Sequence, residues 1–213
     1  MIPFVIGIAG GSGAGKTTIA QHIIDQIGDQ AIAWLPYDAY YCDLGHLTLA
    51  ERQACNFDHP DAFDTELFLT HLDQLIAGHA ITLPNYDFVQ YTRVGGGHVV
   101  QPRPIILLDG ILLFVAATVR ARMNVRIFIE VADDIRLLRR ILRDTQERGR
   151  DVQSVCQQYL ATVRPMHQAF VKPSRSYADL IIPGVNDVTP AVSLITNHIR
   201  QLLSATLDTK EGI

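Results

Sequence analysis

One run of residues carries the clearest chemistry in the chain: Gly10-Gly11-Ser12-Gly13-Ala14-Gly15-Lys16-Thr17, followed by Thr18. It fits the spacing G-x-x-x-x-G-K-[ST]. Glycines there let backbone N–H groups turn inward around phosphate oxygens with no Cβ in the way. Lys16 can reach β- and γ-phosphates, and the Thr17 hydroxyl can hold Mg²⁺. The pattern implies a nucleoside triphosphate. Alone, it leaves open whether the phosphoryl group is transferred, hydrolysed or read as a switch. Two acids could serve the same place. Asp38 follows an apolar run and is flanked by Tyr37, Tyr40 and Tyr41, which suits a site that also stacks a ring. Asp109 ends a second apolar run, where an acid would approach the metal. Phosphoryl transfer needs an acceptor-side carboxylate to take the hydroxyl proton or orient that oxygen.

The third group is basic. Arg136, Arg139, Arg140 and Arg143 recur at i, i+3, i+4 and i+7, one face of a helix. Leu138, Ile141 and Leu142 remain for packing on other faces. Arg148 and Arg150 follow. These six arginines against Asp144 and Glu147 leave residues 136–150 at +4. A transferring phosphoryl group spreads charge over three oxygens, so a closing lid is the expected use of this cluster. The chain as a whole has 15 Arg but only 3 Lys, with nine of the arginines between Arg120 and Arg150.

Strands and helices must position these groups. Apolar runs at Phe4–Ala9, Ala31–Leu35, Ile105–Leu108, Val125–Val131 and Leu180–Ile182 read as buried strands. Helical spacing marks Thr17–Ile27, Leu67–Ala77 with Gly78 as its stop, and a helix to Glu147 capped by Asp133 or Asp134. Further helices are expected over Val152–Val163, ending before Pro165, and Pro190–Leu203. The alternation implies an α/β fold with a parallel sheet covered on both faces. Ligands then sit beyond the carboxyl ends of the strands. Residues 37–103 fit poorly and read as a functional insertion over the sheet edge. The polar tail from Thr206 to Ile213 reads as frayed.

Composition narrows the classes. At 213 residues and 48% hydrophobic, one sizeable core is affordable. A net charge of −4 argues against a general nucleic-acid coat or a polybasic membrane binder. Cys42, Cys55 and Cys156 show no paired spacing, which suits a reducing, cytoplasmic compartment. The longest apolar stretch, Pro104–Ala117, contains Asp109 and is too short to cross a bilayer.

Several segments together resemble the uridine–cytidine kinases: GGSGAGKTT (10–18), DAYY (38–41), NFDHPDAFD (56–64), PNYDFVQYTR (84–93), DGIL (109–112), RRILRDTQERGRD (139–151) and YADLIIP (177–183). They keep the family's order and span nearly the whole chain. The resemblance implies a P-loop kinase core with a β-hairpin insertion for the nucleoside and an arginine-rich lid near residues 136–165. It implies transfer of the γ-phosphoryl of ATP or GTP to the 5′-hydroxyl of uridine or cytidine, with Mg²⁺ near Thr17, Asp38 and Asp109. By position, Asp38 is the acceptor-side carboxylate and Asp58 binds the ribose hydroxyls. Tyr41, Phe57 and Tyr86 enclose base and sugar, with Ile111 and Gln158 also on the nucleoside. Arg140 and Arg143 bind phosphate, and Arg148 and Arg150 hold the lid and nucleoside side. A homotetramer and feedback by pyrimidine triphosphates are likewise implied by resemblance only.

Three positions depart from the family. Ala39 stands for a usual Ser, Asp109 for a usual Glu, and Tyr91 for a frequent His at the pyrimidine's position 4. Tyr91 is expected to bias the site toward cytidine. The alternatives are a kinase of another small alcohol, such as a phosphoribulokinase-like protein, and a nucleotide-dependent regulator. No NKxD guanine-reading motif is present.

Overall fold

The central strands are nearly unbroken apolar runs whose successive side chains point to opposite faces, so both faces of the sheet are buried and each has its own core. The computed structural model describes residues 2–185 and 187–211. The first half runs β1 (Phe4–Gly10), α1 (Lys16–Ile27), β2 (Ile32–Pro36), a 3₁₀ turn at Tyr37–Tyr40, α2 (Leu49–Gln53) and α3 (Thr65–Ile76). Then come β3 (Ile81–Asp87), β4 (Thr92–Val100), β5 (Ile105–Gly110), α4 (Ala117–Arg120) and β6 (Val125–Glu130). The chain closes with α5 (Asp133–Glu147), α6 (Val152–Gln158), α7 (Arg164–Met166), α8 (Lys172–Ser174), β7 (Leu180–Pro183) and α9 (Thr189–Glu211).

Five strands form one sheet in the order β2-β5-β1-β6-β7, every neighbouring pair parallel. This is the expected α/β architecture. Val5, Ala9, Ile106 and Leu108 pack on one face; Ile6, Ile8, Ile105 and Leu107 pack on the other, against Ile19, Ile23 and Ile195. Register sets the functional edge. Ala9 lies beside Gly110, and Pro36 beside Asp109, so the ends of β1, β2 and β5 meet at one rim.

Within residues 37–103, β3 and β4 pair antiparallel as a separate hairpin with an irregularity between Leu83 and Asn85. No helix of the described residues is long and apolar enough to cross a membrane. Two helix ends differ from expectation. The helix after Val152 does not stop before Pro165: it widens into π turns at Tyr159–Val163 and His167–Val171, each just ahead of a proline-bearing turn. A wider turn relieves the clash a proline ring makes with the preceding turn, so the helix continues. The last helix runs to Glu211 instead of ending near Leu203. The expected fraying falls partly outside the described residues.

Candidate active site

The glycine run leaves β1 at Gly10 and closes a tight turn, with Ala14 N–H donating to the Gly11 carbonyl at 3.0 Å. Gly13 has φ +79°, and a Cβ there would strike the Arg136 carbonyl, so only glycine fits beneath the arginine helix. α1 starts at Gly15 in the left-handed region, and no side chain caps it. Its first N–H groups are therefore available to an anion, with the positive end of the helix dipole behind them. Gly13, Gly15, Lys16, Thr17 and Thr18 border one open cleft together with Asp38 and Asp109. Lys16 is buried and its Nζ donates to the Gly11 carbonyl at 3.1 Å. Burial brings its pKa down to about 8, although Asp38 and Asp109 favour its charged form.

Both oxygens of Asp109 are engaged. Thr17 Oγ1 donates to Oδ2 at 2.9 Å, and Trp34 Nε1 donates to Oδ1 at 2.9 Å. Burial, then the nearby Asp38 charge, raise the Asp109 pKa. Asp38 sits in the 3₁₀ turn after β2, with Oδ1 buried and lacking a hydrogen-bond partner. Thr17, Asp38 and Asp109 make an all-oxygen donor set with one orphaned carboxylate oxygen. That suits a hard cation such as Mg²⁺, which keeps several waters and takes its other ligands from phosphate.

Tyr37 and Tyr40, expected to frame the site, instead lie in the core. Tyr37 stacks on Phe63 at 4.6 Å, and Tyr40 meets Phe68 edge-on at 5.0 Å. Only Tyr41 of that cluster faces the cavity next to the loop. This cavity collects Asp38, Tyr41, Phe57, Asp58 and Ile111 from the segments after β2 and β5, and Tyr86 and Tyr91 from the hairpin. Arg140 and Arg143 of α5, Arg148 and Arg150 of the α5–α6 connection and Gln158 of α6 also line it, together with Ser12, Lys16 and Thr17. Ring contacts stiffen the wall: Tyr41 lies 5.0 Å from Tyr86, and Phe57 lies 5.5 Å from Tyr91 at 29°. Asp58 is buried, which pushes its pKa up against the pull of Arg140. Tyr86 Oη is buried with no partner.

The arginine helix is turned opposite to its apolar residues. Arg136 is 3% exposed and Arg140 7%, whereas Leu138 is 59% and Leu142 57% exposed. The expectation that Leu138 and Leu142 serve for packing is therefore wrong. The loop beneath offers acceptors that outweigh leucine burial here. Arg136 donates to the Val131 carbonyl at 3.2 Å and the Ser12 carbonyl at 3.3 Å, and Arg140 donates to Ser12 Oγ at 3.0 Å. Neither expected aspartate caps α5: its N-cap is Ala132, and Asp133 pairs with Arg136 at 2.6 Å. Arg139 donates to the Gly184 carbonyl at 3.0 Å and borders only the phosphate-loop cleft.

At the centre of the arginines is Asp144, 0% exposed. Its carboxylate pairs with Arg143 at 2.9 Å, Arg140 at 3.4 Å and Arg148 at 3.7 Å. Gln158 Oε1 accepts from both Arg140 and Arg150. Sequence reading counted Asp144 only as an offsetting charge. Its place four residues after Arg140 and four before Arg148 was the signal for it. Phe88, also missed, lies under the Arg148 guanidinium at 4.3 Å. Burial and the Arg143 charge lower the Arg148 pKa.

The family model for phosphoribulokinase and uridine kinase matches residues 5–191. The chain belongs to the phosphoribulokinase/uridine kinase family. Among curated members, a uridine kinase of Chloroflexus aurantiacus is 48% identical over 204 residues, covering 96% of this chain and 98% of that protein. A uridine kinase of Lactiplantibacillus plantarum is 45% identical over 201 residues, covering 94% of this chain and 96% of that protein. A solved structure described as a possible uridine kinase from Bacillus stearothermophilus superposes with TM-score 0.59 at 17% identity, over 85% of this chain and 89% of that one. That last likeness concerns the fold.

Proposed function

We propose that the protein transfers the γ-phosphoryl group of ATP or GTP to the 5′-hydroxyl of uridine or cytidine. One observation carries this: Asp38 borders both the glycine-loop cleft and an aromatic cavity that holds the buried Asp58 carboxylate. Relatives named uridine kinase over nearly the full length support the substrate class. The nucleoside lies among Tyr41, Phe57 and Tyr86, touches Ile111 and Gln158, and gives its ribose hydroxyls to Asp58, since a carboxylate can accept from both. Asp38 takes the 5′-hydroxyl proton as that oxygen attacks the γ-phosphorus and the bond to the β–γ bridging oxygen breaks. Lys16, Arg140 and Arg143 meet the charge on the phosphoryl oxygens, and Arg148 and Arg150 close the nucleoside side. Thr17, Asp38 and Asp109 would hold Mg²⁺, and the ion would supply charge neutralisation for the phosphate oxygens.

We read residues 1–213 as one kinase domain with its insertion at 37–103 and its lid at 136–165. A cytoplasmic role in pyrimidine salvage and a homotetramer rest on the family resemblance. Cytidine is the preferred acceptor. Tyr91 is bulkier than His and is held by its stack on Phe57, on a backbone with φ of 53°, so the ring has less room to readjust between the two bases. An unpaired polar edge on the other base costs about 1–3 kcal/mol. The test is kcat/KM over a nucleoside panel with ATP and Mg²⁺. Cytidine is expected ahead of uridine; uridine equal or better overturns the preference, and no pyrimidine product overturns the substrate class.

A further inference from the structure

Trp34 is the only tryptophan in the chain, and it stands at the metal side of the site. It lies on β2, two residues before Pro36, which pairs with Asp109 in the sheet register. From there its indole N–H reaches Asp109 Oδ1 at 2.9 Å, while Thr17 Oγ1 donates to Oδ2 at 2.9 Å. An indole N–H can only donate. It therefore fixes Oδ1 as an acceptor and sets the rotation of the carboxylate. With that rotation set, the Thr17 hydroxyl hydrogen points to Oδ2 and its lone pairs are left for the cleft. Asp109 is 4% exposed and is one methylene shorter than the Glu of the resembling kinases, so it has few other ways to be held.

We propose that Trp34 is a positioning residue for the cation side of phosphoryl transfer, acting through Asp109 on Thr17. The hydrogen bond supplies from β2 the orientation that the shorter acid does not supply by its own reach. This rests on the kinase reading of the site. It also makes the lone indole a built-in reporter, because a cation drawing on Thr17 and Asp109 changes the field at the indole N–H.

The experiment has two arms. In the first, Trp34→Phe keeps an aromatic ring but removes the donor. The Mg²⁺ concentration for half-maximal turnover should rise about tenfold, the size of one hydrogen bond to a charged group, while the KM for nucleoside stays unchanged. An unchanged Mg²⁺ requirement, or equal rises in both constants, overturns the proposal. In the second arm, wild-type indole emission is followed with a non-hydrolysable ATP analogue. Emission should shift when Mg²⁺ is added and not when EDTA is added; identical spectra overturn the proposal. The second arm decides alone if Trp34→Phe does not fold. Absence of nucleoside phosphorylation by the wild type would defeat the kinase reading instead, and the emission arm would still test Trp34.

Discussion

Lys16 sets the pH response of the site. Burial brings its pKa to about 8, so the free protein loses this cation as the pH rises through that value. In the proposed function its charge draws the triphosphate, and kcat/KM reports groups of the free enzyme. The kcat/KM for triphosphate should therefore fall above about pH 8, measured at saturating nucleoside. A profile flat well past pH 8 would contradict this. At this scale the glycine loop, Asp38, Asp109 and the arginines were legible, because each belongs to a short local pattern. Trp34 was not: its bond to Asp109 joins residues 75 apart, and nothing near Trp34 marks it. Tyr37 and Tyr40 misled for the opposite reason. Residues adjacent in sequence to Asp38 turn in a 3₁₀ conformation and point into the core.

The arginine helix shows what an element-level pattern can and cannot give. Spacing located the helix and grouped its arginines. Its inward face went unread because apolar periodicity normally names the buried side, and here a polar loop lies underneath. Asp144 makes the inverted packing tolerable by pairing with Arg140, Arg143 and Arg148. Asp144→Ala leaves buried guanidinium groups uncompensated and should cost about 3–5 kcal/mol in denaturant unfolding. Leu138→Gln, on the exposed face, should change stability by less than about 0.5 kcal/mol. A leucine variant as damaging as the aspartate variant would mean that α5 faces the other way. The hairpin was likewise unreadable from alternation: β3 contains Pro84 and β4 contains Gly95-Gly96-Gly97, so the resemblance, not the pattern, announced it.

Across the whole molecule, all five parallel strands were legible as apolar runs, but their order was not. Order is set by crossovers packing between distant segments, and it alone brings Gly10, Asp38 and Asp109 to one rim. The negative net charge is compatible with a phosphate site: positive charge is concentrated between Arg136 and Arg150, while the rest of the chain is acidic overall. In the proposed mechanism, phosphoryl transfer to a nucleoside in this cavity depends on the Asp38 carboxylate, and Asp38→Asn removes its basicity with almost no change in shape. Product formation with cytidine and ATP should fall by at least about a hundredfold, the lower range for a lost general base. Nucleoside binding by calorimetry should change little. Undiminished turnover in Asp38→Asn would contradict the assigned chemistry.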